Sequence, residues 1–386
     1  MDFGLSEDQL AYQQAARDFA RGELAPHAAE WDAKSEFPIE TIRRAGELGF
    51  CGIYTPEALG GLGLSRLDAS VILEELAAGC TSTTAYITIH NMATWMVATF
   101  AQPGVRENWV PRLARGEALG SYCLTEPGAG SDAASIKTRA DKRDGRYVLN
   151  GGKAFISGAG ATDLLVVFAR TGAPGAKGIS TFAVPADSKG IRFGKREHKM
   201  GWNSQPTRTI AFDDVEIDGG HRLGAEGEGF SIAMKGLDGG RINIATCSVG
   251  TAQAALDRAQ EHLNSRKQFG QMLSQFQALQ FRLADMVTEL VSARQMVRLA
   301  AWKLDTGSPD ATTYCAMAKR FATDVGFEVA NQALQLHGGY GYSREFPLER
   351  HVRDSRVHQI LEGTNEIMRV IVARAVLREG ATEDLR

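Results

Sequence analysis

The spacing of apolar and polar positions changes twice along the chain, and each change marks a different kind of structure. The first third is helical in character. Ser6 and Gln9 form a capping box at the head of a helix-forming stretch over 8–24, which Pro26 stops. A second segment over 38–48 has Pro at its start and Gly49 past its end, and 68–78 with the run to Phe100 supplies two more. Near Ser121 the period shortens to two. Ile136, Thr138 and Ala140 alternate with polar neighbours, and Asp144-Gly145 gives a hairpin signal before Tyr147 and Leu149. The stretches 163–169 and 179–184 are short apolar strands bounded by Gly and Pro, and 207–212 alternates again. From 121 to 225 this predicts a compact antiparallel sheet or barrel.

From Phe230 the helical period returns. Leu279, Leu283, Met286, Leu290, Ala293, Val297, Ala300 and Leu304 form an a/d seam, and Phe321, Val325 and Val329 recur at helical spacing on the next segment. With 241–265 and 365–379 these segments predict an antiparallel four-helix bundle. The expected fold is α+β: an N-terminal α-helical domain over 1–120, a middle antiparallel β-barrel domain over 121–229 and a C-terminal four-helix bundle over 230–386.

Composition then removes several function classes. At 386 residues, 44% hydrophobic and 23% charged, the chain can build more than one core and is not disordered. A net charge of −3 leaves no basic footprint for nucleic acid. Thirty consecutive residues between Glu75 and Arg106 carry no Asp, Glu, Lys or Arg, yet they include six threonines, His90, Asn91 and Pro103. That is too polar for hydrocarbon, so a helix buried on nearly all sides is expected there and no membrane span. The five cysteines (51, 80, 123, 247 and 315) are odd in number and contain no CxxC pair. They imply neither a disulfide framework nor a zinc site and suit a reducing compartment. Met1-Asp2-Phe3 lacks a basic-then-apolar signal, so export is not expected.

Several short motifs carry candidate chemistry. Residues 128–133 formally match the dinucleotide fingerprint, but strand alternation follows where a helix is required, so that reading is rejected. By itself the run from Tyr122 to Asp132 is a Gly-rich turn between strands. Its backbone, with the Thr125 and Ser131 hydroxyls, also suits a flat polar ring. Glu362-Gly363-Thr364-Asn365-Glu366 precedes an apolar helix, with Thr364 or Asn365 as cap and Glu366 favourable to the helix dipole. Glu362 also falls between Ile360-Leu361 and Gly363, where a partly desolvated carboxylate gains a raised pKa and the character of a base. Residues 265–270 close a helix, and 336–342 read as a turn where backbone can approach a ligand. The glycines of Asp238-Gly239-Gly240-Arg241 weaken a helix by about 1 kcal/mol each, which points to tight helix contact or to room for something bound. His198, His221, His351 and His358 have no metal-ligand spacing.

In their order these motifs resemble the acyl-CoA dehydrogenase family over essentially the whole chain: N-terminal helices, then the runs 124–132, 266–270, 337–342 and 362–366. The resemblance implies FAD bound between the β-domain and the bundle of each subunit of a homotetramer. Tyr122, Leu124, Thr125, Gly130 and Ser131, with Phe155, Ile156 and Ser157, would hold the isoalloxazine. Arg266, Phe269, Phe276 and Gln277, with Gln335, Leu336, His337, Gly338 and Gly339, would contact the adenine dinucleotide half, partly from a neighbouring subunit. Thr364, Asn365 and Glu366 would complete the flavin contacts. Ser131, Asp238, Gly239, Gly240, Arg241 and Arg374 would fall at acyl-CoA positions, and no metal is implied.

Glu362 stands at the position of the catalytic base, which removes the α-proton of an acyl-CoA while the β-hydrogen leaves as hydride. Some members carry the base at the position matching Gly240, where glycine cannot serve. Stretches 153–160, 201–208, 239–245 and 352–363 resemble members acting on short branched chains. They imply conversion of isobutyryl-CoA to methacrylyl-CoA in valine catabolism, with electrons passed to an electron-transferring flavoprotein. Gly239 and Gly240 are read as making space for the branched chain, and 86–96 as shaping chain-length selection. A short straight-chain or 2-methylbutyryl-CoA substrate is the alternative. Acyl-CoA oxidases usually have much longer chains, and a non-catalytic helical scaffold would keep the fold alone. The expected location is the cytoplasm of a bacterium, or the mitochondrial matrix for a processed eukaryotic chain.

Overall fold

The computed structural model describes residues 4–378. The chain opens with helices α1 (Glu7–Phe19), α2 (Ala28–Lys34), α3 (Ile39–Glu47), α4 (Arg66–Gly79), α5 (Thr81–Phe100) and α6 (Pro103–Ala114). Ser6 and Gln9 make the expected capping box. The α-helix they start ends at Phe19, and Ala20–Leu24 widens into a π-helical turn. A second box, Ser65 with Asp68, starts α4 and places Arg66 at its first residue.

The uncharged run forms α5, whose side chains are buried apart from Ile89, Trp95, Thr99 and Phe100. Its polar groups are tolerated there because neighbours satisfy them. Asn91 donates to the Phe50 and Ile87 carbonyls and accepts from Ile53 N. His90 Nδ1 accepts from Gly120 N (3.0 Å), so its Nε2–H donates to Leu113 O (2.8 Å). Among the described residues no helix is long and apolar enough to cross a membrane.

The middle strands are β1 (Gly120–Cys123), β2 (Arg139–Arg143), β3 (Arg146–Ser157), β4 (Leu164–Arg170), β5 (Ile179–Pro185), β6 (Ile191–Phe193), β7 (Thr207–Asp218) and β8 (Arg222–Leu223). They pair in the order β6-β7-β3-β2-β4-β5-β8, with β1 added on β4. Asp144 and Gly145 take positive φ between β2 and β3, as a tight hairpin requires. The sheet is not wholly antiparallel as expected: β1 runs parallel to β4, and Arg139 pairs in parallel with Arg170. The long connection through β2 and β3 permits this, because parallel neighbours need a crossover. β4 is apolar on both sides. Leu164, Val166 and Phe168 meet α5 and α6, while Leu165 and Val167 meet Tyr147, Phe182 and Phe212. After 128–133 comes a single 3-10 turn and then a strand, so no phosphate-binding helix is present.

The last part comprises α7 (Gly229–Ser265), the ribbon β9 (Lys267–Gln268) and β10 (Gln271–Met272), α8 (Gln277–Asp305), α9 (Ala311–His337), α10 (Gly339–Tyr342), α11 (Leu348–Arg356) and α12 (Asn365–Val376). The predicted seam is buried from Met286 to Ala300, and Leu279, Leu283 and Leu304 lie at its partly covered ends. Three of the bundle helices are long, at 37, 29 and 27 residues, whereas α12 has only 12 and packs on α9. α4 packs along α7 and α8. α7 begins at Gly229, earlier than expected, and runs through Gly239-Gly240. The 336–342 turn is corrected too: α9 continues through His337, and Gly338 (φ 59) breaks it. Residue 379 and residues 1–3, which carry the export reading, lie outside the described residues.

Candidate active site

Glu362 sits in the turn between α11 and α12 with φ 56, and Gly363 follows at φ 89. A left-handed glutamate is uncommon and persists only where its surroundings over-determine it. Leu361 and Val357 pack with Trp202, Ile244 and Cys247. His358 accepts from Trp202 Nε1 through Nε2 (3.3 Å), so its Nδ1–H donates to Ser248 Oγ (2.7 Å). Burial holds this imidazole down to about 3 and therefore neutral. From α9, the fully buried Lys319 donates to Gly363 O and Asn365 Oδ1, each at 2.8 Å. Asn365 in turn donates to Asp324 (2.7 Å), and Thr364 supplies the α12 cap by accepting from Ile367 N.

Glu362 Oε2 is buried and has no hydrogen-bond partner. A Cβ on Gly240 would come 2.4 Å from that oxygen, so a larger residue there would displace the carboxylate. Burial pushes the Glu362 carboxyl up to about 7, although Arg241 and Lys319 pull it down. Burial likewise brings the Lys319 ammonium down to about 7. A Cβ on Gly239 would come 2.5 Å from Arg66 Nη1. The two glycines therefore do not leave open space for a branched chain; the Glu362 carboxylate and the Arg66 guanidinium fill it.

Asp238 is not free to bind a ligand by itself. It pairs with Arg241 at 2.6 Å and accepts from Thr312 Oγ1 at 2.7 Å. Arg66 Nη1, Tyr122 Oη and Arg241 Nε are, like Glu362 Oε2, buried without partners. Arg374 is exposed on α12, and Glu366 is exposed in its first turn. Tyr86, at the head of the 86–96 stretch, packs on Phe37 and donates to Gly120 O, whereas Trp95 faces Arg66.

The Gly-rich run after β1 is pinned from below. Glu126 and Lys153 form a buried ion pair at 2.7 Å. Glu126 also accepts from the Lys137 and Thr138 amides, and Lys153 donates to Leu124 O. Burial acts to raise the Glu126 carboxyl, but Lys153 together with the hydrogen bonds from Thr138 and Lys137 outweighs it and holds the group below its ordinary value. Thr125 O accepts from Ala154 N, which ties the run to β3. Leu124 and Ile156 are buried and offer only backbone. Ser157 is occupied through its carbonyl, which accepts from Ser121 Oγ. Gly130 and Ser131 are exposed, and a Cβ on Gly130 would meet nothing. Phe155 is 69% exposed at φ 56. The open backbone of this run, tied to the strand that presents the Phe155 ring, fits a flat, polar-edged cofactor.

The remaining predicted contacts gather elsewhere. Arg266, Gln335, Leu336, His337, Gly338 and Gly339 line one cavity of about 560 Å³. Arg266 lies over Tyr340 at 5.4 Å, and His262 stacks on His337 at 4.3 Å. Phe269 is 93% exposed and meets Phe276 edge-on, while Gln277 is exposed at the start of α8. Arg266 follows the C-terminal end of α7 and Gly240 lies in its first half, about 39 Å away along the axis at 1.5 Å per residue. One chain does not bring them into a single site.

Sequence reasoning missed Arg66, Lys319, Lys153 and His262. Lys319 left a signal, since it is a lone charge among Cys315, Ala318 and Ala322 on a buried helix face. Among the described residues no group of His, Cys, Asp and Glu could hold a metal ion.

Comparison with known proteins identifies the family. Profiles of the N-terminal, middle and C-terminal domains of acyl-CoA dehydrogenase match residues 6–117, 121–215 and 227–377. The chain is 54% identical to mitochondrial isobutyryl-CoA dehydrogenase of Bos taurus, over 97% of this chain and 90% of that protein. The protein of the same name from Dictyostelium discoideum is 51% identical over 97% and 91%. Among solved structures, butyryl-CoA dehydrogenase of Megasphaera elsdenii superposes with a TM-score of 0.95 at 40% identity, covering 98% of this chain and all of that one. A chain from a structure titled for the electron transferring flavoprotein of Acidaminococcus fermentans gives 0.96 at 41% identity, with the same coverage. The protein belongs to the acyl-CoA dehydrogenase family and is an FAD-dependent enzyme that dehydrogenates acyl-CoA thioesters.

Proposed function

We propose that this enzyme converts isobutyryl-CoA to methacrylyl-CoA in valine catabolism, with Glu362 as its base. The observation that carries the reading is the Glu362 Oε2 oxygen, buried, without a hydrogen-bond partner and held against Gly240. A pKa near 7 leaves much of it ionised at neutral pH and makes it a strong enough base to take an α-proton. As the α C–H bond breaks, its electron pair forms the α,β double bond. The bound flavin supplies the acceptor for the β-hydrogen, which leaves as hydride. Charge grows meanwhile on the thioester oxygen. Among the described residues no acceptor takes the Glu362 N–H, which is therefore available to that oxygen.

Thr125, Gly130, Ser131 and Phe155 are assigned to the isoalloxazine, and the turn 364–366 to its far edge. The identity to isobutyryl-CoA dehydrogenases supports the branched substrate. Glu362→Gln keeps shape and removes the base: it should retain FAD and acyl-CoA binding while turnover falls about a hundred- to ten-thousand-fold. Near-normal turnover in that variant would remove Glu362 from the mechanism. The likeness to butyryl-CoA dehydrogenase favours a straight short chain as second reading. Relative kcat/KM for isobutyryl-, butyryl- and 2-methylbutyryl-CoA decides, since one methyl is worth about 1–3 kcal/mol in an apolar pocket.

Two partners are part of the proposal. The Arg266 cavity and the exposed Phe269 would serve the FAD of a neighbouring subunit, which needs at least a second copy of the chain, and a homotetramer is the assembly proposed. The apolar side chains that α8 exposes (Phe281, Val287, Val291, Leu299 and Trp302) support an interface. Electrons would pass to an electron-transferring flavoprotein, a reading supported by the Acidaminococcus likeness and tested by substrate-dependent reduction of that protein. Five buried, unpaired cysteines suit a cytoplasmic or mitochondrial-matrix location.

A further inference from the structure

We infer that Arg66 is a specificity-determining residue: its guanidinium closes the far end of the acyl cleft and stops chains longer than the short acyl group. The inference rests on the site proposed above. Arg66 opens α4, and Asp305 at the end of α8 fixes its position by accepting from both Arg66 N (2.8 Å) and Leu67 N (3.0 Å). The side chain turns inward and is only 8% exposed. Its guanidinium stacks over Tyr54 at 3.5 Å and lies 5.3 Å from Trp95. Tyr54 is held in turn by Asn243, whose Nδ2 donates to its hydroxyl at 3.3 Å. Gly239 and Asn243 are four apart, on one face of α7. Arg66 and Tyr54 thus form a continuous wall along that face.

The position of the wall relative to the base gives it a consequence. Side-chain space over Gly240 holds the Glu362 carboxylate, and the space over the preceding residue holds the Arg66 guanidinium. An acyl chain whose α-carbon lies against Glu362 Oε2 meets the guanidinium if it runs round α7 toward the Gly239 face, because consecutive helical residues differ by only about 1.5 Å in height. A longer alkyl tail would have to displace Arg66 or press methylenes against a buried charge whose Nη1 already has no partner. A short branched chain spreads sideways and ends before it. The sequence alone suggested that Gly239 widens the pocket; the glycine instead admits the group that shortens it.

Holoenzyme variants Arg66→Ala and Arg66→Gln test this, assayed with isobutyryl-, butyryl-, hexanoyl- and octanoyl-CoA. Relative to wild type, the hexanoyl to isobutyryl ratio of kcat/KM should rise at least tenfold in Arg66→Ala and about threefold in Arg66→Gln. Retention of the wild-type ratio by a flavin-loaded Arg66→Ala enzyme overturns the inference. If that variant loses its FAD, Arg66→Gln decides: a raised ratio supports the wall and an unchanged one overturns it. Wild-type enzyme that turns over none of these substrates would sink the proposed function instead, so the two failures are separable.

Discussion

At the scale of residues, the site turns on one carboxylate and the cations around it. Desolvation raises Glu362, while Arg241 and Lys319 lower it, and the balance lies at about 7. For the free enzyme, kcat/KM should therefore fall as pH drops below about 7, because the protonated carboxyl cannot take the α-proton. Lys319 titrates near the same pH, so the limb belongs to the pair and not to either residue. Replacing Lys319 by Met removes a cation that favours the ionised carboxylate, so the limb should move up by about one pH unit. A flavin-loaded Lys319→Met enzyme with an unmoved limb would count against this coupling. Lys319→Arg separates charge from position, since it keeps the cation but not the geometry at Gly363 and Asn365.

At the scale of elements, what matters is how loops without regular structure are held still. The Gly-rich run after β1 presents open backbone on one side because Glu126 and Lys153 hold it on the other. Removing one member of a buried pair leaves an uncompensated charge and costs about 3–5 kcal/mol. Glu126→Ala should lose stability on that scale in denaturant unfolding and also weaken flavin retention. Replacing both partners by apolar residues should recover much of the loss. A single variant within about 1 kcal/mol of wild type would show the pair to be dispensable. α7 illustrates the same economy in a helix: Gly239 and Gly240 weaken it locally, and the space they leave admits Arg66 and Glu362.

At the scale of the whole molecule, the Arg266 cavity and the Glu362 site lie against parts of α7 about 39 Å apart along its axis. A subunit complete in itself would gather them in one place. Association through the exposed apolar face of α8 would bring one chain's Arg266 cavity to another chain's flavin loop. Val291→Glu and Trp302→Glu place charge on that face and should reduce the assembly to smaller species in light scattering. Flavin content should fall with it. Dissociated protein that keeps its full complement of FAD would show that the cavity is not needed for the cofactor.

The kinds of element and their order were legible in the chain, because the period of apolar positions is a local property. The helical start, the switch to alternation near Ser121 and the seam of α8 all follow from spacing alone. So does the rejection of a phosphate-binding helix after 128–133. Motif order was enough to single out Glu362 and the turn around it. What spacing could not express is which distant residues share space. β1 alongside β4 in parallel, Lys319 beneath Gly363, and Lys153 beneath Glu126 are pairings between separate elements. They depend on how the elements pack, and no periodicity encodes them. The identity of what fills the space over Gly239 and Gly240 belongs to the same class. A sequence shows a missing side chain, and only the tertiary structure shows whose side chain takes its place.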